Sequence, residues 1–221
     1  MSNTPFRVVV LISGRGTNLE ALISAIKTHA WPIQITAVVT DNPKAGGLKF
    51  AEGEGIPAVI VEREAKKRPE FDRALAEAIG RHNPDLIVLA GFMRVLGADF
   101  IRKFPNRIIN IHPSLLPAFR GLHVHRAAIE AGVKFSGATV HYVVEQVDAG
   151  PILAQSVVPV LPDDSAESLA NRIIKTEHQL LPAVVYAIAT GKIIRRRIGD
   201  NEVVHTSGAR SGEVLLSIKA D

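Results

Sequence analysis

Apolar runs alternate with stretches of helical period along the first hundred residues. Arg7–Ile12 is a near-continuous apolar run closed by a glycine turn, the pattern of a strand buried on both faces, and a helix is predicted from Asn18 to His29. A second strand over Ile33–Thr40, a short helix over Gly47–Glu54 and a third strand over Ala58–Val61 follow. A helix over Pro69–His82 then leads into a buried strand, Asp85–Ala90, that ends in a turn at Gly91. Strand, helix and strand in repeated succession are the signature of βαβ units and of a parallel sheet covered by helices.

The texture changes past residue 100. Arg107–Ile111 is a short strand, and the two prolines of His112-Pro-Ser-Leu-Leu-Pro117 force an extended, non-helical loop after it. Thr139–Val144 and Ile152–Val160 read as strands joined by the turn Gln146–Pro151, which predicts antiparallel pairing. Asp164 and Ser165 cap a long helix that runs to Thr190 and stops at Gly191. The last thirty residues are strand-like and polar, consistent with a hairpin. The predicted fold is an open, doubly wound, mostly parallel α/β sheet, Rossmann-like in its winding, with an antiparallel strand pair in the C-terminal half. No repeat, low-complexity tract or linker interrupts the chain, so a single domain over 1–221 is expected.

Composition narrows the class. A chain of 221 residues with 47% hydrophobic and 22% charged residues is ordinary globular protein. No apolar run approaches the roughly 20 residues of a membrane-spanning helix, and the N-terminus has no basic stretch before an apolar one, so a cytoplasmic protein without membrane contact is expected. The absence of cysteine excludes thiol catalysis and cysteine-ligated zinc. Net charge is +4, from 26 basic and 22 acidic residues, with clusters at Arg63–Arg68 and Arg195–Arg197. Aromatic residues make up only 5% of the chain and do not interleave with those clusters, which argues against stacking on nucleic acid. A small phosphorylated or polycarboxylate ligand accounts for the charge equally well.

The turn Ser13-Gly-Arg-Gly-Thr-Asn18 lies between a buried strand and a helix, where consecutive backbone N–H groups and the helix terminus form an anion site. The dinucleotide fingerprint asks for a third glycine where Leu19 stands, and the Walker pattern's Gly-Lys-Ser/Thr is missing, so a single phosphate fits better than NAD or ATP. A tight turn with glycines for geometry alone is the other reading. Asp41, after the second strand, reads as a helix cap or turn residue.

Asn110 and His112 stand at i and i+2 on a strand end, so their side chains leave the same face at the edge where open α/β sheets bind ligands. Asp148, in the turn before Pro151, is the candidate partner of His112. A carboxylate beside an imidazole raises the imidazole pKa and fixes its orientation. Two donors aimed at one spot would stabilise an oxyanion, the main electrostatic demand of acyl transfer. Each residue also has a structural reading, as a strand-end, pre-proline or turn residue. His123 and His125 could form a metal pair, but no further ligand set accompanies them, and no metal is expected.

Taken together, Ile12-Ser-Gly-Arg-Gly-Thr-Asn-Leu19, Leu89-Ala-Gly-Phe-Met-Arg94, Asn110-Ile-His-Pro-Ser-Leu-Leu-Pro117, Gly121-Leu-His-Val-His-Arg126 and Val147-Asp-Ala-Gly-Pro151 resemble the phosphoribosylglycinamide formyltransferases, which carry out the folate-dependent third step of purine synthesis. The resemblance runs from residue 6 to 190. It implies formyl transfer from 10-formyltetrahydrofolate, as co-substrate, to the amino group of glycinamide ribonucleotide, with catalytic roles on Asn110, His112 and Asp148. It further implies that Gly16, Thr17 and Asn18 hold the substrate phosphate and that Glu177 meets the glycinamide amine. For the folate, the matching positions are Arg68, Met93, Arg94, Val95, Leu96 and Asn110: Arg68 would pair with the glutamate tail or a nearby carboxylate, and Met93 to Leu96 would line the pterin pocket, while a solvated charge is the other reading of Arg68. On this resemblance, 1–100 is the phosphate-binding half, 101–190 the catalytic and folate-binding half, and 191–221 an extension whose role is not readable. Partners would be small molecules, with no nucleic acid, in a monomer or homodimer. Ala149 replaces a glycine that many relatives carry, which leaves Asp148 in place.

Related chemistries share the Asn, His and Asp arrangement. A formyltetrahydrofolate deformylase would carry a further N-terminal regulatory domain, and a methionyl-tRNA formyltransferase a substantial C-terminal RNA-binding domain. A non-enzymatic nucleotide-binding module would keep the glycine turn and have no use for the oxyanion donors.

Overall fold

The computed structural model describes residues 4–62, 67–198 and 201–206. Residues 63–66, which hold Arg63 and Lys66 of the first basic cluster, and the end of the C-terminal extension, 207–221, lie outside them. The chain forms two compact units, 1–110 with 143–145, and 111–142 with 146–221.

In the first unit the parallel strands are β1 (Phe6–Ile12), β2 (Ile33–Thr40), β3 (Ala58–Ile60), β4 (Leu86–Leu89) and the start of β5 (Ile108–His112). Each is separated from the next by a helix: α1 (Thr17–Thr28), α2 (Leu48–Gly53), α3 (Arg68–Gly80) and α4 (Ala98–Lys103). β1 pairs in parallel with both β2 and β4, and Val8 to Ile12 have no exposed surface, so both faces of the central strand are covered. One face packs Val9, Leu11, Val39 and Ile87 against Phe71, Leu75 and Ile79 of α3 and Phe100 of α4. Alternate residues Val8, Val10 and Ile12 face the other way, and α1 contributes Leu19, Leu22 and Ile23 to the core. Glu70 caps α3 by accepting the Lys67 backbone N–H at 3.3 Å.

The second unit holds α5 (Val124–Glu130), β6 (Phe135–Tyr142), β7 (Ile152–Pro159), α6 (Ala166–Ala189) and the pair β8 (Ile193–Ile198) and β9 (Asn201–Thr206). β6 and β7 pair antiparallel, as do β8 and β9. Ser165 caps α6 as expected: its hydroxyl accepts the Ser168 N–H at 3.0 Å while the Ser168 hydroxyl accepts the Ser165 N–H at 2.9 Å. Leu169, Ile173, Leu180, Val184 and Ala187 recur along the buried stripe of that helix, which packs on β6 and β7. The Arg195 guanidinium stacks over the Tyr142 ring at 3.9 Å, tying β8 to the end of β6.

The strand order is β3-β2-β1-β4-β5-β6-β7, a doubly wound, mostly parallel sheet with an antiparallel pair at the C-terminal end, as the sequence predicts. Three features differ from the expectation. The helices α4 and α5, of six and seven residues, were not predicted, and β6 begins at Phe135 rather than Thr139. Gly137 weakens the strand signal at that point, yet only glycine fits: a Cβ there would meet the Ser156 backbone across the ladder.

Candidate active site

The glycine turn has the geometry of an anion site. Gly16 is the N-cap of α1 with φ 78°, ψ 20°, a left-handed conformation, and no side chain caps the helix. Intrahelical bonding starts with the Glu20 N–H donating to the Gly16 carbonyl at 2.9 Å, so the first-turn amides at Thr17 and Asn18 lie at the positive end of a twelve-residue helix. Gly14 and Arg15 are exposed, whereas Asn18 is buried. Glycines are needed at 16 and 47 because the two backbones touch there; a Cβ on either would overlap the other residue.

Asp41 is neither a helix cap nor a simple turn residue, contrary to the expectation. Gly47 stands at the N-cap of α2, and the Asp41 carboxylate is buried between Ser13, whose hydroxyl donates to Oδ1 at 2.6 Å, and Arg94, whose Nε donates to Oδ2 at 2.5 Å. Its partners lie 28 and 53 positions away, beyond the reach of any local pattern.

The segment Met93–Leu96 leaves the end of β4 through the left-handed Gly91. The Met93 N–H donates to the Ser13 hydroxyl at 3.0 Å, and Arg68 Nη2 donates to the Leu96 carbonyl at 3.1 Å, so Arg68 does border this segment. Arg68 also stands 3.9 Å from Asp72, whose carboxylate accepts the Gly97 N–H at 3.0 Å. Burial raises the Asp72 pKa, against the Gly97 bond and the Arg68 charge, which lower it. Met93 and Val95 are 69% and 55% exposed, an apolar surface that flat ring systems favour, while Leu96 is buried. The Arg94 side chain is turned to Asp41.

Asn110 and His112 alternate on β5, so both leave the same side of the strand, as predicted. His112 is buried, and its Nδ1 lies 3.5 Å from Asp148 Oδ2, an ion-pair distance rather than a hydrogen-bond length. Nε2 donates to the Phe119 carbonyl at 3.0 Å. Asp148 takes a left-handed φ of 50°, and its Oδ2 accepts the Gly121 N–H at 2.9 Å. The loop after His112 is held by Thr139 of β6, whose hydroxyl donates to the Ser114 carbonyl at 2.7 Å and accepts the Leu116 N–H at 3.0 Å.

A second imidazole, missed in the sequence, reaches the same carboxylate. His141 of β6 is 2% exposed, with Nε2 3.6 Å from Asp148 Oδ1 and Nδ1 donating to the Tyr142 carbonyl at 2.9 Å. Burial lowers its pKa; the Tyr142 bond and the Asp148 charge act the other way, and the His112 imidazole adds to the lowering. Burial, and then His112, also lower the pKa of His125 in α5. Strand alternation offered no signal for His141, because a histidine inside a β-strand reads as one more covered residue. Glu177 is buried on α6 beside Thr176, whose hydroxyl shares a 2.7 Å hydrogen bond with Ser156. His123 is exposed at the start of α5, and among the described residues no group of three or more His, Asp or Glu side chains could hold a metal.

The formyl transferase family model matches residues 6–185. The chain belongs to the formyl transferase family. Among formyl transferases, the phosphoribosylglycinamide formyltransferase of Escherichia coli K12 is 40% identical over 187 residues, covering 84% of this chain and 88% of that protein. The trifunctional purine biosynthetic protein adenosine-3 of Gallus gallus is 44% identical over 188 residues; 85% of this chain aligns, yet it spans only 19% of that protein's length. The solved glycinamide ribonucleotide transformylase 1 of Symbiobacterium toebii superposes with a TM-score of 0.87 at 41% identity, covering 93% of this chain and 95% of that one.

Proposed function

We propose that this formyl transferase moves a formyl group from 10-formyltetrahydrofolate to the amino group of phosphoribosylglycinamide in purine biosynthesis; the relatives' names state phosphoribosylglycinamide formyl transfer and a purine biosynthetic role for those proteins. The observation that carries the chemistry is the buried meeting of the His112 imidazole with the Asp148 carboxylate, which His141 also approaches and the Gly121 N–H fixes. The phosphate of the substrate takes the amides of Gly16, Thr17 and Asn18, where helix dipole and backbone donors favour an anion. Glu177 meets the glycinamide amine. The folate supplies the formyl carbon; Met93 to Leu96 border its ring and Arg68 its carboxylate tail.

In the reaction the amine nitrogen attacks the formyl carbon, forming the new C–N bond and an oxyanion. The Asn110 amide and the His112 Nε2–H stabilise that oxygen, with His112 exchanging the Phe119 carbonyl for it. Asp148 takes the proton from the attacking amine and returns it to the folate nitrogen as the old C–N bond breaks. No covalent enzyme intermediate is needed. Incubating the protein with phosphoribosylglycinamide and a 10-formyl folate, with a no-amine control, tests this directly. Formylated product that depends on the amine supports transfer; deformylation at the same rate without the amine overturns it in favour of hydrolysis.

A further inference from the structure

Three loops leave the carboxyl ends of β1, β2 and β4, and one carboxylate joins them. The Asp41 side chain is 2% exposed and spends one oxygen on the Ser13 hydroxyl and the other on the Arg94 guanidinium. With its proton committed to Asp41, the Ser13 oxygen presents lone pairs elsewhere, and one accepts the Met93 N–H. Around this knot, Asn42 Nδ2 donates to the Ser13 carbonyl at 3.1 Å and the Gly47 N–H to the Gly14 carbonyl at 3.1 Å. The far end of the Met93–Leu96 segment is pinned separately, by Arg68 and Asp72. A carboxylate held by two donors, one of them charged, has little freedom to move. The turn that starts at Ser13 and the segment that starts at Met93 therefore share one rigid anchor.

We propose that Asp41 is a positioning residue for both substrate subsites of this unit, the phosphate turn and the folate-bordering segment, acting through Ser13 and Arg94 and touching neither substrate. The inference rests on the function proposed above and adds to it a residue outside the binding and catalytic sets. Because Asp41 sets where backbone groups stand before substrate arrives, its loss weakens binding of ground state and transition state alike. That signature is a raised KM with kcat retained.

The test is steady-state kinetics of the full chain and its Asp41→Asn, Asp41→Ala, Arg94→Ala and Asp41→Ala/Arg94→Ala variants, with each substrate varied in turn. Losing a charge-assisted anchor is expected to raise KM for the folate roughly tenfold or more, with a smaller rise for the phosphorylated amine, and kcat within about threefold. Since Asp41 works on the folate segment through Arg94, the double variant should show no larger folate KM than Asp41→Ala alone. Thermal melts identify any variant that fails to fold, and Asp41→Asn, which keeps the side-chain shape, then carries the comparison. Folded Asp41→Asn and Asp41→Ala with wild-type KM values, or a strictly additive double variant, would overturn the role of Asp41 while wild-type transfer leaves the function standing. A wild-type chain that transfers nothing would instead overturn the function on which the role depends.

Discussion

Gly16 and Gly47 meet backbone to backbone where the phosphate turn crosses the start of α2, and alanine at each position separates two costs. Gly16 has φ 78°, so an alanine there adopts a left-handed conformation and its Cβ also overlaps Gly47, with the Phe50 ring a further 3.4 Å neighbour. Gly47 has φ −71°, ordinary for any residue, so its alanine meets only crowding: 2.6 Å from Ile12 Cδ1 and 2.8 Å from Gly16 Cα. The left-handed conformation costs about 1–2 kcal/mol and the overpacking about 1–3 kcal/mol. Gly16→Ala is therefore expected to destabilise by roughly 2–5 kcal/mol and Gly47→Ala by roughly 1–3 kcal/mol. In a chain of this length each kcal/mol lowers the melting temperature by about 2–4 °C, which gives losses of about 4–20 °C and 2–12 °C. Urea denaturation read by circular dichroism measures both, with unchanged m-values expected for a shared unfolded state. Both variants should also raise KM for the phosphorylated substrate, since the turn amides shift as the backbones part. A Gly16→Ala protein melting within a degree of the parent would refute the contact. A Gly47→Ala protein weaker than Gly16→Ala would refute the ranking.

Other tests address separate parts of the molecule. Ser165→Ala removes the acceptor of the Ser168 N–H at the start of α6 and should cost about 1 kcal/mol in urea unfolding; a variant as stable as the parent would show the cap to be idle. Burial holds the His141 pKa below its unfolded value of about 6.5, so its share of stability is complete above that pH and is lost as pH falls through the folded pKa. His141→Gln, which cannot titrate, should therefore lose less stability than the parent between pH 7 and 5, and equal losses would contradict the assignment. Asp164 is held well below the usual carboxylate range, first by the Arg172 guanidinium that grips both its oxygens and then by the Leu161 N–H. Its contribution is present above the ordinary aspartate pKa and lost as pH falls towards the folded value, so Arg172→Ala should flatten the acid limb of the stability profile.

Much of this architecture is legible in the sequence because its signals are local. The central strands β1 and β4 are near-continuous apolar runs, α6 announces itself through Ser165 and a long periodic stripe, and the two-proline loop after His112 admits no helix. What the sequence hides depends on distance. The helices α4 and α5 are too short to show a period. Asp41 sits where aspartate usually serves a turn, and only the folded chain brings Ser13 and Arg94 to it. His141 looks like any covered strand residue until the turn of Asp148 returns to it. The pairing of His112 with Asp148, expected from chemistry, is present at 3.5 Å, while the Phe119 carbonyl on the other ring nitrogen could not have been foreseen.

The single-turnover rate of formyl transfer in Asp148→Asn bears most directly on the chemistry. The asparagine can still accept the Gly121 N–H, so the fold and substrate binding should survive. Without a carboxylate to take the amine proton, transfer should slow by about 10²–10⁴-fold. A folded, substrate-saturated variant that transfers the formyl group at the parent rate would contradict the assigned role of Asp148.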